Sequence, residues 1–350
     1  MRLVIDDAAP LGFMAPGGAP GVEVLPWPGP AVVGDVVVEA FGCDPPEATV
    51  AAMAARALPP VWLNLEYLSA EPYVERSHGL PSPQRNGLTK WFFYPGFTAG
   101  SGGLLREPGL LAERAAFDSA AWLLAQGIAH LAGERVVTLF CYDNPALPAL
   151  LHDLAREPTL LLLTPGPAQQ QVAAHATPAG LRLHRLPWLS QTAFDHLLWA
   201  SDLNFVRGED SLVRALWSGV PFVWQAYPQH DGAHTAKVDA LLDHLQAPAA
   251  VAALWRAWNG MTADLAAGGA ANLAADLAAD LAASGAGGPA LPALPALPGS
   301  AGSADPWLAA ARAWQQAHAA QPDLVSQLMR FVRSPGRTPA STPKSVGANC

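Results

Sequence analysis

Residues 202–242, DLNFVRGEDSLVRALWSGVPFVWQAYPQHDGAHTAKVDALL, contain the pattern that decides the fold class. The apolar run Leu203–Val206 is typical of a buried strand. A polar turn follows, and apolar side chains then recur at helical spacing until Gly219 and Pro221 indicate a helix end. Phe222–Gln225 is a second strand-like run. The segment therefore predicts a strand–helix–strand unit of an α/β fold, in which ligands bind beyond the carboxyl ends of the strands.

The polar turn, residues 207–211 with the sequence RGEDS, lies at the start of the predicted helix. Free backbone N–H groups at a helix start favour anions, phosphate above all. Taken alone, Asp210 or Ser211 is more simply explained as the N-cap residue. The other polar residues nearby are Arg207 and Glu209 in the turn, and Tyr227, Gln229, Asp231 and His234 after the next strand. This density favours a nucleotide diphosphate, with the helix amides and Ser211 on phosphate, a carboxylate on ribose and an arginine for charge.

Length and composition limit the class of protein. The chain has 350 residues, enough for two domains, and a formal net charge of −9, which argues against a nucleic-acid binder. Its three cysteines, Cys43, Cys141 and Cys350, show neither a disulfide framework nor zinc spacing. Neither a signal peptide nor an apolar run of membrane-spanning length is apparent. We predict a globular cytoplasmic protein that binds neither nucleic acid nor membrane.

Strand-like and helix-like runs alternate along both halves of the chain, which indicates two parallel sheets. We predict an N-terminal α/β domain over residues 1–132 and a C-terminal α/β domain over residues 133–332. Between the sheets, residues 68–107 are predicted to be irregular and residues 108–131 to form one amphipathic helix. A four-residue repeat predicts a helix over residues 272–281. Composition predicts a flexible insert over residues 285–305 and a disordered tail over residues 333–350.

Several side chains outside the polar turn have both a ligand-binding and a purely structural interpretation. Phe140 and Tyr142 alternate on one face of the predicted strand Arg135–Tyr142 and are usually core residues, although Tyr142, near the carboxyl end of the strand, could instead contact a ligand. Trp188, Gln191 and Phe194 suit the stacking and edge recognition of a planar base, although such trios more often serve packing. Glu66, Glu71 and Glu75 are more often solvated. His230 and His234 have metal-pair spacing, but without a third ligand a metal site is disfavoured.

Six segments closely resemble one family, the bacterial protein-arginine rhamnosyltransferases that modify elongation factor P. They are DVVVEAFGC (35–43), LNLEYLSAEPYVERSHGLPSP (63–83), KWFFYPGFTAGSGGLLRE (90–107), LFCYDNPALPALL (139–151), LPWLSQTAFDHLLWASDLNFVRGEDSLVRALWSGVPFVW (186–224) and YPQHDGAH (227–234). The resemblance implies a GT-B glycosyltransferase, with two Rossmann-like domains facing a central cleft and a last helix that returns to the first domain. It implies inverting transfer of rhamnose from dTDP-β-L-rhamnose to an arginine side chain, without a metal or another cofactor.

The same resemblance assigns roles to residues of this chain. The residues that it places at the donor are Phe140, Tyr142, Trp188, Gln191, Phe194, Arg207, Asp210, Ser211, Tyr227 and Gln229. Glu209 matches a glutamate that is important for activity, and we assign it as the catalytic residue. Glu66, Tyr67 and Glu71 are assigned to the acceptor side of the cleft.

One departure from the family pattern concerns the start of the chain. The family normally begins with a strand and a turn of the form DNFGDIG, whose aspartates are thought to orient the arginine and act as base. This chain begins at Met1 with what resembles the family's second strand, Leu3–Asp7, so we expect an incomplete first domain. Two alternatives stay open: a catalytically impaired nucleotide-sugar-binding protein, and a transferase for another nucleotide sugar or acceptor.

Overall fold

The computed structural model describes residues 1–29, 31, 33–229, 232–261 and 305–335. The chain forms two compact units. The large unit contains Met1–Gly29, Ser69–Glu71 and Arg106–Gln321, and the small unit contains Pro30–Leu68, Pro72–Leu105 and Pro322–Cys350. The predicted division was a single boundary at residue 132. In the structure, each unit instead combines segments that are distant from one another in sequence.

The first segment of the large unit is a two-stranded parallel sheet. Strands β1 (Arg2–Ile5) and β2 (Glu23–Pro26) pair along their whole length, with a short helix α1 (Leu11–Met14) between them. The two strands lie in neither of the larger sheets. The strand expected at the start of the chain is therefore present, and within the described residues it pairs with β2 alone.

The small unit is built on a four-stranded sheet. Its elements are β3 (Val36–Ala40), α2 (Glu47–Ala54), β4 (Val61–Leu65), α3 (Tyr73–Ser77), β5 (Pro81–Pro83) and β6 (Thr89–Phe93). The strand order is β3-β4-β6-β5, in which only the β5–β6 pair is antiparallel. The prediction that residues 68–107 are irregular was wrong, because the aromatic run Trp91–Phe93 completes an inner strand, and Phe93 is buried.

The last described helix, Leu324–Arg333, belongs to the small unit. The backbone N–H of Leu324 donates to the carbonyl oxygen of Leu104 at 2.9 Å. The ring of Phe331 lies 5.7 Å from that of Trp91 and 5.8 Å from that of Phe93. The resemblance implies that the last helix returns to the N-terminal sheet. In the structure, Phe331 packs this helix against strand β6.

The large unit is built on a five-stranded parallel sheet. Its elements are α4 (Leu110–Ala116), α5 (Ser119–Ala125), β7 (Arg135–Leu139), α6 (Leu147–Leu154), β8 (Thr159–Leu163), α7 (Pro167–Ala173), β9 (Leu181–Arg185), α8 (Gln191–Ala200), β10 (Leu203–Arg207), α9 (Gly208–Ser218), β11 (Phe222–Gln225), α10 (Ala233–Leu245), α11 (Ala249–Trp258) and the helix Pro306–Ala319. The order β11-β10-β7-β8-β9 is that of a Rossmann-like sheet, and its connections reverse direction between β7 and β10.

Residues 108–131 form two short helices rather than the single one predicted. Phe117 leaves the helical conformation, and the Asp118 carboxylate accepts a hydrogen bond from the backbone N–H of Ala121 at 3.0 Å, which caps α5. Leu123 and Ile128 then pack in one apolar cluster with Val136 of β7. These contacts explain why this segment belongs to the large unit.

Several predicted features lie outside the described residues. These are the helix over residues 272–281, the insert up to residue 304, the tail from residue 336, and His230 with Asp231. Across the part of the chain that the structure describes, no helix has the length and apolar character needed to cross a membrane. The same part brings no three His, Cys, Asp or Glu residues together as a potential metal site.

A histidine pair, of which His318 is buried, connects α10 with the helix Pro306–Ala319. His318 is 6% exposed, its Nδ1 donates to the carbonyl oxygen of Trp314 at 2.7 Å, and its Nε2 lies 3.1 Å from Nε2 of His244. Burial lowers the pKa of His318 below the ordinary 6.5, although the Trp314 hydrogen bond opposes this shift. The unfolded chain therefore binds more protons below about pH 6.5, and the free energy of unfolding falls as the pH drops.

We expect His318→Gln to reduce this loss of stability between pH 7 and pH 5, because glutamine does not titrate. Urea denaturation at several pH values measures the effect. His175→Gln, at an exposed position, is the matched control and should keep the wild-type pH dependence. If the free energy of unfolding changes equally with pH in wild type and His318→Gln, His318 does not cause the loss of stability at low pH.

Candidate functional site

The candidate donor site lies where β7 and β10 end. These two neighbouring parallel strands flank the point at which the sheet order reverses, the usual ligand position in such sheets. Phe140 and Tyr142 directly follow β7, and Arg207 is the last residue of β10. The topology thus brings together residues that are more than sixty positions apart in sequence.

The Arg207 guanidinium lies over two aromatic rings. Its Cζ atom is 4.5 Å from the ring centroid of Phe140 and 4.5 Å from that of Tyr142. Cation–π contacts of this kind hold a guanidinium in a defined orientation while its N–H groups remain able to bind an anion. The family resemblance places all three residues at the donor, and in the structure they form one cluster.

The Tyr142 backbone is fixed by two glutamine side chains. Its N–H donates to Oε1 of Gln225 at 2.9 Å, and its carbonyl oxygen accepts from Nε2 of Gln171 at 3.2 Å. The Tyr142 ring packs edge-on against Tyr227 at 5.3 Å. Burial raises the pKa of Tyr142, although Arg207 opposes the shift, so its hydroxyl remains a hydrogen-bond donor at neutral pH.

Helix α9 starts directly at this cluster. Arg207 occupies the N-cap position and its side chain does not cap the helix, so the N-cap roles considered for Asp210 and Ser211 were wrong. Ser211 is buried and its hydroxyl donates to the carbonyl oxygen of Arg207 in its own helix turn. A phosphate contact by that hydroxyl requires exchange of this bond. The Glu209 carboxylate lies 3.6 Å from Nζ of Lys237 in α10.

The predicted base-binding residues lie at and before the start of α8. Ser190 caps this helix by accepting from the backbone N–H of Ala193 at 3.2 Å. The side chain of Gln191 hydrogen-bonds with Asp210, and the ring of Phe194 lies 5.5 Å from that of Phe140. Gln191 and Phe194 therefore join the β7–β10 cluster through direct contacts.

Trp188 and Gln229 make contacts of a different kind. Trp188 is 61% exposed, and its ring lies 4.7 Å from that of Phe13. Gln229 is exposed, and its backbone N–H donates to Nδ1 of His234 at 3.2 Å. Their donor roles stay predictions, since these contacts do not extend to the Arg207 cluster.

The three residues assigned to the acceptor belong to different units. In the small unit, Glu66 follows β4, and its Oε1 accepts from Nδ2 of Asn64 at 2.7 Å. Tyr67 is 49% exposed, with its ring 4.8 Å from that of Phe41. In the large unit, the Glu71 carboxylate accepts from the hydroxyl of Ser69 at 2.9 Å.

Most of the chain matches one protein family. The family model for Elongation-Factor P (EF-P) rhamnosyltransferase EarP covers residues 1–333. The chain belongs to the EarP family. A protein-arginine rhamnosyltransferase of Pseudomonas putida is 40% identical, with 95% of this chain and 90% of that protein aligned. One of Pseudomonas aeruginosa is 38% identical over the same shares of both chains.

A solved structure from work on the structural basis for EarP-mediated arginine glycosylation of translation elongation factor EF-P is also similar. It covers 95% of this chain and 97% of its own, with a TM-score of 0.55 and 27% sequence identity. The predictions of a GT-B glycosyltransferase with Rossmann-like units and of EarP-family membership are confirmed.

In this EarP-family chain, a buried ion network that was not predicted from the sequence supports the site. Arg214 of α9 is 2% exposed and binds Asp195 of α8 through two hydrogen bonds, one of them 2.6 Å long. It also donates to Glu107 at 2.7 Å. Burial opposes the charge, but both carboxylates hold the pKa of Arg214 above its ordinary value. The sequence feature that could have indicated this network is the position of Arg214 among the apolar residues of the predicted helix.

Gly208 is a position in the candidate site where the backbone conformation and a close neighbour both oppose a side chain. Its φ is +70°, and an added Cβ would lie 3.2 Å from the Tyr142 hydroxyl oxygen. We expect Gly208→Ala to lower the free energy of unfolding by about 1–2 kcal/mol through backbone strain, and to weaken ligand binding at the candidate site by displacing Tyr142, with dTDP as the test ligand.

Gly133→Ala is the matched control, because Gly133 has a φ of +79° and no atom within 4 Å of an added Cβ. It should show the loss of stability, measured by urea denaturation, without the loss of dTDP affinity, measured calorimetrically. A similar fall in dTDP affinity for both variants would contradict the role of Tyr142.

Proposed function

We propose that this chain transfers rhamnose from dTDP-β-L-rhamnose to an arginine side chain of elongation factor P, with inversion and without a metal or cofactor. The observation that carries the proposal is the Arg207 guanidinium over Phe140 and Tyr142 at the start of α9. This arrangement suits a diphosphate at the reversal point of a Rossmann-like sheet. The names of the relatives support the sugar and the protein-arginine acceptor.

Each part of the donor has a matching group in the large unit. The diphosphate would bind Arg207 and the backbone N–H groups at the start of α9, where the helix dipole favours negative charge. Thymine would stack on Phe194, with the Gln191 amide reading its polar edge. Tyr227 and Gln229 would border the sugar. Asp210 and Ser211 would complete the ribose and phosphate contacts.

The transfer step requires a base. A bond forms between a guanidinium nitrogen and the anomeric carbon, while the bond from that carbon to the diphosphate oxygen breaks and dTDP leaves. Because a guanidinium has a pKa above about 12 and a delocalised lone pair, a carboxylate must localise its charge and accept the proton. We propose Glu209 for this role, with Glu66, Tyr67 and Glu71 contacting the acceptor. Proton transfer to Glu209 requires release of its ion pair with Lys237.

The direct test is mass spectrometry of elongation factor P after incubation with this chain and dTDP-β-L-rhamnose. A deoxyhexose mass gain on one arginine would establish the reaction, and NMR of the product linkage would test inversion. Binding of dTDP without transfer would instead favour the alternative of a nucleotide-sugar-binding protein. If a different nucleotide sugar is the preferred donor in a competition assay, the proposed identity of the donor is wrong. An elongation factor acts in the cytoplasm, where we expect the chain to be.

The variant Glu209→Gln distinguishes two possible roles of Glu209, catalytic base and ribose-binding group. If Glu209 is the base, the transfer rate should fall by about 10²-fold while the dTDP affinity stays nearly constant. Asp243→Asn, on α10, is a control that should change neither quantity. Loss of dTDP affinity in Glu209→Gln would show that Glu209 holds the nucleotide and that another group accepts the proton.

A further inference from the structure

The large unit contains a cavity at the end of the sheet opposite the candidate donor site. It has a volume of about 630 Å³. Residues that line it directly precede β10 and β11, among them Asp202 and Pro221, and Val136 at the start of β7 also lines it. Strands of five residues separate this edge from the donor site by roughly 16 Å. The cavity is therefore distinct from the proposed dTDP site.

Two arginines lie together at this cavity, which we call the amino-edge pocket. Arg114 of α4 and Arg312 of the helix Pro306–Ala319 both line it. Burial and, after it, the positive charge of Arg312 lower the pKa of Arg114. Within the described residues, neither guanidinium forms an ion pair with a carboxylate. Two like charges thus face a cavity in a chain whose net charge is −9.

Packing explains only part of this arrangement. Nε of Arg114 donates to the carbonyl oxygen of Ser218 at the end of α9, a normal helix C-terminal contact. Arg114 has further N–H groups beyond this bond. The acid that lines the pocket, Asp202, is within ion-pair distance of neither arginine, and its Oδ2 accepts from the backbone N–H of Val136 at 2.8 Å. The hydrogen bond from Arg114 to Ser218 therefore does not explain why a second arginine, Arg312, lies beside Arg114.

The rest of the pocket wall combines an apolar surface with a buried donor. Trp199 is 2% exposed, and the Arg114 guanidinium lies 6.0 Å from its ring centroid. Its indole N–H is buried without a hydrogen-bond partner among the described residues. Leu111 and Leu308 also line the pocket. Small-molecule sites typically have volumes of about 300–1,000 Å³, apolar walls and a few convergent polar groups.

We propose that the amino-edge pocket binds a small phosphate monoester. The phosphate would lie between the guanidinium groups of Arg114 and Arg312, and an apolar body would contact Trp199 and the two leucines. Planar guanidinium groups match phosphate oxygens in a bidentate manner, and a doubly charged anion offsets the repulsion between the arginines. This site is independent of the proposed transfer reaction.

The test is calorimetric titration with phenyl phosphate, which combines a phosphate with an apolar ring. The chain is first saturated with dTDP, so that the donor site does not contribute, and the titration is repeated with Arg207→Ala. Both samples should bind phenyl phosphate, and inorganic phosphate should bind more weakly. Arg312→Ala should weaken binding about tenfold or more, because it removes a charged hydrogen-bond donor at an exposed position.

Arg330→Ala, at an exposed position of the last helix, is the matched control and should bind as wild type does. Arg114→Ala should also weaken binding, and urea denaturation of that variant shows whether loss of the Ser218 contact has unfolded it. Absence of binding in the dTDP-saturated chain would overturn the proposal. Equal affinities for wild type and Arg312→Ala, or equal losses for Arg312→Ala and Arg330→Ala, would also overturn it.

Discussion

Arg207→Ala is expected to lower the rate of rhamnosyl transfer by about 10³-fold and to abolish measurable dTDP binding at micromolar concentrations. An arginine that neutralises charge developing on a leaving phosphate typically contributes to catalysis on this scale. The expectation follows from the position of Arg207 at the end of β10, with its guanidinium 4.5 Å from each of two ring centroids. Loss of the guanidinium removes the charge and also the group against which Phe140 and Tyr142 pack.

The variant Arg207→Lys distinguishes the contribution of the positive charge from that of the planar guanidinium group. A lysine keeps the positive charge but has neither the planar fork nor the same stacking on both rings, so activity should remain well below wild type. Arg156→Ala is the control, because Arg156 is an exposed arginine of the same unit that pairs with Asp153. Transfer by Arg207→Ala at a rate within tenfold of wild type would place the diphosphate elsewhere.

Much of the donor site could be predicted from the sequence, because strand ends are visible in local patterns. The apolar runs before Phe140 and before Arg207 both indicated strands of a parallel sheet. Parallel strands place the residues that follow them at one edge. The sequence did not show which residues pair across that edge, such as Tyr142 with Gln225, because these contacts depend on the strand order.

Other features could not be predicted because long-range packing overrides local patterns. Residues 108–131 have one amphipathic pattern, but Asp118 starts a second helix whose Leu123 packs beside β7. Residues 68–107 contain many prolines and glycines, but β6 forms there because β4 provides a pairing edge. The division into two units depends in the same way on contacts between segments distant in sequence.

Arg214→Met is expected to lower the free energy of unfolding by about 3–5 kcal/mol, because it leaves the buried Asp195 carboxylate without its partner. Glu107→Gln should cost less than about 1 kcal/mol, since the Glu107 side chain is 48% exposed. The double variant Arg214→Met with Asp195→Leu should recover most of the loss, because apolar side chains often replace a buried ion pair at little cost. Urea denaturation of the four chains measures these differences.

The same variants decide whether the ion network only stabilises the fold or also positions the donor site. Arg214 joins α9 to α8, and the first turns of these helices carry Asp210 and Gln191, which hydrogen-bond to each other. If the network positions these turns, the double variant should recover stability but keep a weakened dTDP affinity, because apolar contacts do not fix the two helices in one register. Recovery of both quantities would show that helix packing alone sets the geometry of the site. Failure of the double variant to recover stability would mean that Asp195 and Arg214 satisfy polar groups that apolar side chains leave unpaired.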